Sequence, residues 1–181
     1  MIPFFICSLP RSRTAWLANF LTYGPAYCFH EPMSEYALEE YPRLLEGTGA
    51  QFAGVADSLN CLVMEQLIDM FPRARVVTVR REIGEVAESI QRTFNLKCWE
   101  MLERMDRELN RIEHAYNPLV IDYKHFDSAS IWKHLFGAHP LNRRRLEMLE
   151  SFNVTVPATI SFKKAMHLME RSGDLLWPLL R

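Results

Sequence analysis

Short apolar runs alternate along most of the chain with segments in which apolar residues recur every three or four positions. Five of the apolar runs have the composition of buried strands: PFFICSL, AYCFHEP, QFAGVADS, ARVVTVR and PLVIDY. The segments between them have the period of amphipathic helices. This alternation predicts βαβ units, and therefore a three-layer α/β fold with a parallel sheet of about five strands and helices on both faces.

The predicted helices end at ordinary stop signals. The segment RTAWLANFLTYG ends at Gly24, and LNCLVMEQLIDMF ends at Pro72. After the fifth strand, a helix is expected to begin at a cap formed by Asp127 or Ser128. The helix after the fourth strand places apolar side chains on one side: Ile83, Val86, Ala87, Ile90 and Phe94.

One predicted helix, residues 97–116, differs from the others in its apolar spacing. Its apolar positions step by 4, 3, 4, 3 and 4 along a highly charged segment, as in a heptad seam: Cys98, Leu102, Met105, Leu109, Ile112 and Tyr116. The pattern suits a surface helix packed on its own domain. A homodimer through this helix, or a lid over an acceptor site, is the alternative.

Composition and charge restrict the function further. The 181 residues suffice for a single domain, 1–181, and the net charge of −1 favours neither nucleic acid nor membrane. Cysteines and histidines lack metal-ligand spacing, so no metal is expected. The N-terminal apolar stretch is too short for a signal peptide or a membrane span, and the cysteines lie in apolar runs. We therefore expect a cytoplasmic protein with reduced core thiols.

The loop after the first strand carries the clearest chemistry. Arg11, Ser12 and Thr14 lie between a buried strand and an apolar helix. Backbone N–H groups at such a junction, together with the helix dipole, attract anions, and Arg11 can bind a phosphate through two donors. The alternative is that Ser12 only caps the helix. The loop is not a Walker A motif, because no glycine occurs between Met1 and Gly24.

The stretch LPRSRTAWL resembles the 5′-phosphosulfate loop of sulfotransferases that use 3′-phosphoadenosine 5′-phosphosulfate (PAPS). Six residues match the family form: Pro10, Arg11, Ser12, Thr14, Trp16 and Leu17. Arg13 stands where the family usually has glycine, and Ala15 replaces a hydroxyl residue.

A second element of the same resemblance lies at the fourth strand and the following helix. In the family, an arginine at the strand end and a serine eight residues later bind the 3′-phosphate of the cofactor. Arg81 and Ser89 have this spacing, and Glu85-Val86 fits the acidic-Val step common in the family's helix. Arg80 could exchange roles with Arg81. The resemblance spans roughly residues 3 to 136.

The resemblance implies a P-loop-like fold and a PAPS-dependent sulfotransferase, with adenosine 3′,5′-bisphosphate (PAP) as the product. The acceptor would be a hydroxyl or amine of a small molecule or carbohydrate, and no metal would be needed. The cofactor-binding residues implied are Arg11, Ser12, Arg13, Thr14, Ala15, Trp16, Arg81 and Ser89, with Trp16 near the adenine. Arg11 would also stabilise the charge that develops on the leaving phosphate.

The catalytic base is implied to be Glu31, a carboxylate at the exit of the second strand. Its neighbour His30 and the third-strand exit residues Asp57 and Ser58 are the alternatives, although Asp57 also suits a helix N-cap. Relatives close the cofactor site with a basic segment, for which Arg143–Arg145 and Lys163-Lys164 are candidates.

Two other functions stay open on the sequence. A nucleotide or small-molecule kinase shares the fold class, but the loop lacks the Walker lysine. A non-catalytic nucleotide-binding descendant of the sulfotransferase fold would bind the cofactor, or a partner protein, without turnover.

Overall fold

Five parallel strands form the central sheet of the computed structural model, which describes residues 1–151. They are β1 (Ile2–Ser8), β2 (Ala26–His30), β3 (Phe52–Ala56), β4 (Arg75–Arg80) and β5 (Leu119–Asp122). β2 to β5 lie within their predicted apolar runs and β1 begins one residue before its run, so the predicted strands are confirmed. Whether residues 1–181 form one domain stays a prediction, because the description ends at residue 151.

The predicted helices are present, and α2, between β2 and β3, is a helix that the sequence analysis did not predict. They are α1 (Thr14–Leu21), α2 (Tyr41–Glu46), α3 (Met64–Met70), α4 (Ile83–Phe94), α5 (Trp99–Tyr116), α6 (Ser128–Phe136) and α7 (Arg143–Ser151). Asp127 caps α6 by accepting a hydrogen bond from the Ser130 N–H at 3.0 Å, as expected for one of the two predicted caps.

The segment predicted as one helix before Pro72 is divided in two. A 3₁₀ turn, Ser58–Leu62, precedes α3. The side-chain amide of Asn60 donates to the carbonyls of Ile6 and Val55 at 2.9 and 3.2 Å, which ties this turn to two strands of the sheet. A polar residue inside the apolar period therefore explains why the helix begins later than predicted.

The strand order is β2-β3-β1-β4-β5. The chain leaves β1 toward β2 on one side of the sheet and leaves β4 toward β5 on the other. The carboxyl ends of β1 and β4 therefore flank the point where the connections change direction, which is where open α/β sheets bind ligands. The loop after β1 and the residues after β4 both lie at this point.

Two apolar cores cover the two faces of the sheet. One packs α1, α6 and α7 against side chains such as Phe4 and Ile6 of β1. The other packs α3, α4 and α5 against the opposite face, including Phe5 and Cys7 of the same strand. Helices on both faces of a parallel sheet confirm the predicted three-layer fold.

The heptad seam of α5 belongs to the second core. Leu102, Met105, Leu109 and Ile112 are all buried there. The seam is thus used within its own domain, as the first interpretation predicted, and it is not available to a partner or a lid. A homodimer through this helix stays a prediction that must use its other faces.

All four cysteines are buried free thiols, which agrees with their predicted place in the core. Burial raises the pKa of the Cys7, Cys28 and Cys61 thiols, so these groups are held in the protonated form. Among the helices of residues 1–151, none combines the length and apolar character needed to cross a bilayer.

Gly54 gives the sharpest test of this packing. A Cβ at Gly54 would lie 2.3 Å from a ring carbon of Phe4 and 2.4 Å from the Phe4 carbonyl oxygen. Because the backbone of β1 cannot retreat without breaking the sheet, Gly54→Ala should lower the free energy of unfolding by about 1–3 kcal/mol, measured by urea denaturation.

The control is Gly84→Ala on α4, where an added Cβ meets no atom within 4 Å. This variant should keep or raise stability, by up to about 1 kcal/mol, because alanine favours a helix over glycine. Equal stability of the two variants would contradict the close contact between β1 and β3.

Candidate active site

The loop between β1 and α1 has an unusual backbone. Arg11 and Arg13 both adopt left-handed conformations, with φ of 64° and 66°. This region of backbone space favours glycine and costs other residues about 1–2 kcal/mol. Arg13, which replaces the glycine of the family pattern, therefore takes a glycine-like conformation.

Aromatic contacts offset the strain at Arg13. Its guanidinium lies 4.8 Å from the ring centroid of Phe126 and 5.2 Å from that of Tyr123. Each cation–π contact contributes about 0.5–1 kcal/mol at a partly exposed site, which is similar in size to the backbone cost. The side chain is thus directed toward the segment after β5.

The first turn of α1 makes no side-chain cap. Arg13 is the N-cap residue and forms no side-chain cap hydrogen bond, and the first turn contains no acidic residue. Ser12 is buried, and its hydroxyl lies 3.5 Å from the Pro10 carbonyl. The alternative that Ser12 serves as the N-cap is therefore wrong. An N-terminus of this kind presents backbone N–H groups and positive potential to an anion.

The two sequence elements predicted to bind phosphates lie side by side. The Arg81 guanidinium donates a hydrogen bond to the backbone carbonyl of Arg11. The Arg11 Nε in turn lies 3.4 Å from the Ser89 hydroxyl. Arg11 thus forms one cluster with Arg81 and Ser89, which follow it by 70 and 78 residues, at the carboxyl edge of the sheet.

Arg80 points away from this cluster. Its guanidinium forms an ion pair with Asp106 at 3.0 Å and donates to the Asn110 side chain at 3.0 Å, and both of these partners are on α5. Arg80 therefore fastens α5 to β4, and the alternative in which it exchanges roles with Arg81 is not supported by its position.

The segment after β5 completes the cluster. The Tyr123 N–H donates to the Arg80 carbonyl at 2.8 Å, and the Tyr123 ring centroid lies 4.1 Å from the Arg81 guanidinium carbon. Lys124, the next residue, pairs with Glu85 at 2.7 Å, and Glu85 also lies 3.6 Å from the Arg81 Nε. The hydrogen bond from Lys124 lowers the pKa of Glu85, and the same bond raises the pKa of Lys124.

Glu31 lies at the exit of β2, where it was predicted. It too has a left-handed backbone, with φ of 49°. Its carboxylate lies 3.6 Å from the His30 Nε2, and the Thr14 hydroxyl lies 3.3 Å from the same nitrogen. Thr14, His30 and Glu31 thus connect the start of α1 to the exit of β2.

Backbone strain is concentrated in this region. Within residues 1–151, the positive-φ residues other than glycine and asparagine are Arg11, Arg13 and Glu31. Strained backbone that the surrounding fold maintains is typical of functional sites. The two asparagines with positive φ lie at the ends of α4 and α5, where this conformation is common.

Asp57 has a structural role. It is fully buried, and its carboxylate accepts hydrogen bonds from the N–H groups of Leu59 and Met33 at 2.9 and 3.1 Å. It therefore caps the 3₁₀ turn after β3 and holds the chain after β2, as the predicted N-cap role requires. The neighbouring Ser58 is also buried, so the third strand exit presents no exposed base.

Trp16 lies in the apolar core. Its indole is 8% exposed, stacks on Phe20 at 5.0 Å and donates from Nε1 to the Leu149 carbonyl at 3.1 Å. These contacts join α1 to α7. The predicted contact of Trp16 with an adenine stays a prediction, and so does the cofactor contact of Ala15, which lies partly exposed on the first turn of α1.

The basic cluster at 143–145 contributes to a helix end. Arg145 donates to the carbonyls of Asn19 and Thr22 at 2.7 and 3.2 Å, at the end of α1 opposite the phosphate loop. It neutralises the negative end of that helix, so Arg145 does not close the cofactor site. The other candidate, Lys163-Lys164, lies outside the described residues.

Sequence reasoning did not identify the contribution of the segment after β5. Tyr123, Lys124 and Phe126 follow the end of a parallel strand, so they reach the same edge of the sheet as the other site residues. That position, and the aromatic and basic residues in a short loop, are the sequence features that could have indicated this contribution. Within the described part of the chain, no group of three or more potential metal ligands occurs.

The fold and the basic cluster at the carboxyl edge of its sheet define a P-loop-like α/β protein, and sequence comparison identifies its family. A model of the sulfotransferase domain family matches residues 8–173. The chain therefore belongs to the sulfotransferase domain family. A search of proteins with curated functions finds no match.

Solved structures show the same fold. A sulfotransferase from Alicyclobacillus acidocaldarius superposes with a TM-score of 0.55 at 13% identity, covering 92% of this chain and 96% of that one. Mouse sulfotransferase SULT7A1 complexed with PAP superposes with a TM-score of 0.51 at 13% identity, covering 91% of this chain and 64% of that one. A gluconokinase from Sinorhizobium meliloti 1021 superposes with a TM-score of 0.48 at 13% identity, covering 83% of this chain and 98% of that one.

The structural role of Asp57 is testable. Asp57→Asn replaces one acceptor oxygen with an NH₂ group that faces a backbone N–H, so the buried turn loses a hydrogen bond. We expect the free energy of unfolding to fall by about 1–3 kcal/mol. Asp127→Asn is the control, because asparagine caps an exposed helix about as well as aspartate, and its effect should stay below about 0.5 kcal/mol. Chemical denaturation of both variants measures the difference, and equal losses would contradict the buried role.

Proposed function

We propose that this protein transfers a sulfuryl group from PAPS to a hydroxyl or amine of a small-molecule or carbohydrate acceptor. The observation that carries the proposal is the cluster of Arg11, Arg81 and Ser89, which unites the two sequence elements that resemble the family's phosphate sites. Membership of the sulfotransferase domain family supports it. So does the fold shared with a sulfotransferase that was solved with PAP.

The loop would bind the 5′-phosphosulfate of the donor. In sulfuryl transfer, charge grows on the leaving phosphate oxygens, and donors fixed in advance stabilise that charge at little reorganisation cost. The left-handed backbone at Arg11 and Arg13 fixes the loop, and the start of α1 supplies N–H groups and positive potential. Positioning and charge stabilisation would then supply most of the rate, as in phosphoryl transfer.

Glu31 would take the proton of the acceptor. An acceptor hydroxyl is a weak nucleophile at neutral pH and must lose its proton during attack. The Glu31 carboxylate lies beside His30, which contacts Thr14 at the start of α1, so the base would be next to the donor site. The alternatives differ in position: His30 shares this location, whereas Asp57 is buried in its two backbone contacts.

The donor proposal predicts a ranking of ligands. PAP should stabilise the protein by about 2.7 kcal/mol at a concentration 100 times its dissociation constant, because it binds only the folded state. ATP with Mg²⁺ should stabilise it much less, since the loop lacks the Walker lysine. Thermal denaturation with each ligand measures this. If ATP with Mg²⁺ stabilised the protein more than PAP, a kinase would replace the sulfotransferase.

The proposed base is tested with Glu31→Gln, which keeps size and hydrogen bonding but cannot accept the proton. Turnover with labelled PAPS and an acceptor found by library screening should fall about 10²- to 10⁴-fold, while PAP affinity stays near normal. This corresponds to roughly 2.7–5.5 kcal/mol of barrier. The matched control is Glu35→Gln, an exposed glutamate nearby, which should leave turnover unchanged.

Three results would change this assignment. Loss of PAP binding in Glu31→Gln would make Glu31 a structural partner of the loop. Normal turnover in Glu31→Gln, with strongly reduced turnover in His30→Gln, would move the base to His30. Absence of turnover with every acceptor, despite PAP binding, would favour a non-catalytic descendant.

A further inference from the structure

Arg81, Glu85 and Ser89 form a row in which a negative charge lies between two residues proposed to bind a phosphate. Arg81 lies just before α4, and Glu85 and Ser89 follow at intervals of four residues on that helix, so these two side chains lie along one side of it. The two outer members are the proposed partners of the 3′-phosphate, whereas the middle member is a carboxylate 37% exposed at its side chain. A phosphate held between Arg81 and Ser89 would lie beside the negative charge of Glu85.

Lys124 contacts the middle of this row from another element. Its ammonium lies 2.7 Å from the Glu85 carboxylate, and its side chain is 60% exposed. The backbone holds it there, because the Asp122 carboxylate accepts hydrogen bonds from the N–H groups of Lys124 and His125 at 2.6 and 3.2 Å. Tyr123, the preceding residue, lies against the Arg81 guanidinium.

The contacts of Arg81 do not depend on Glu85 alone. Its guanidinium is held by the Tyr123 ring and by the Arg11 carbonyl. The 3.6 Å approach of Glu85 to the Arg81 Nε is an ion pair without a hydrogen bond, since that nitrogen has no hydrogen-bond partner. Glu85 therefore makes its close contact with Lys124, and Arg81 has two further contacts of its own.

We propose that Lys124 is a further cofactor-binding residue, whose ammonium contacts the 3′-phosphate of PAPS opposite Ser89. The inference rests on the proposed function. Lys124 would supply the positive charge that offsets the repulsion between the phosphate and the Glu85 carboxylate. A phosphate and the Glu85 carboxylate compete for Lys124, because both are oxygen anions within reach of the same ammonium. Lys124 thus selects for ligands that carry the second phosphate.

The experiment compares PAP with adenosine 5′-phosphate, which lacks the 3′-phosphate, by calorimetric titration. Lys124→Gln should weaken PAP binding about 5- to 10-fold, between the effect of an exposed ion pair and that of a charge-assisted hydrogen bond. Adenosine 5′-phosphate binding should change less than about twofold. The effect on PAP should shrink in 0.5 M salt, where the electrostatic screening length is about 4 Å. Lys133→Gln, an exposed lysine on α6, is the matched control and should change neither ligand.

Glu85→Gln separates ligand binding from a purely structural salt bridge. It removes the competing carboxylate, so PAP should bind more tightly than to the unmodified protein. If Glu85→Gln weakened PAP binding as much as Lys124→Gln does, the pair would be a structural clamp and the proposal would fail. It would fail equally if Lys124→Gln left the ratio of PAP to adenosine 5′-phosphate affinity unchanged.

Failure of the proposed function has a different signature. If the unmodified protein did not bind PAP, the donor assignment would be wrong. The role of Lys124 in anion binding is then tested with inorganic phosphate. Phosphate should raise the melting temperature of the unmodified protein and of Lys133→Gln more than that of Lys124→Gln. Equal shifts in all three proteins would overturn the role of Lys124.

Discussion

One hydrogen bond, from the Arg81 guanidinium to the backbone carbonyl of Arg11, joins the two halves of the site. It holds the loop after β1 against the end of β4, across the place where the strand connections change direction. The same guanidinium packs on the Tyr123 ring, so the segment after β5 is fixed by the same group. Three separate strand exits are therefore positioned around one side chain. Any change at Arg81 is expected to disturb both the charge of the site and its shape.

The site concentrates positive charge on a protein whose net charge is −1. Arg11, Arg13, Arg81 and Lys124 meet at one edge of the sheet, and Glu85 is the carboxylate that contacts two of them. Two other arginines have structural contacts: Arg80 pairs with Asp106 on α5, and Arg145 donates to a carbonyl at the end of α1. The chain as a whole is nearly neutral, whereas this edge of the sheet has a positive electrostatic potential. A local field of this kind raises the concentration of multiply charged anions at this edge of the sheet.

The strands and most helices are predictable because local patterns determine them. Apolar β-branched runs such as ARVVTVR suit a central parallel strand wherever they occur. The site is predictable only in part. Arg11, Arg81 and Ser89 carry a recognisable spacing, but the contacts of Tyr123 and Lys124 arise when distant strands end at the same edge. The position of Trp16 in the core has the same origin, since α7 supplies the carbonyl that its indole binds. Patterns along the sequence do not show which residues of distant strands and helices come into contact.

The left-handed backbone at Arg13 has a consequence for how such loops evolve. A glycine there offers the conformation without a side chain, whereas an arginine stabilised by Tyr123 and Phe126 offers the conformation and a cation together. A loop that follows this path needs a positive φ at the position of Arg13. The residue type can differ from glycine where aromatic neighbours stabilise the side chain. Motif searches that require glycine at this point will therefore pass over loops that have kept the same path.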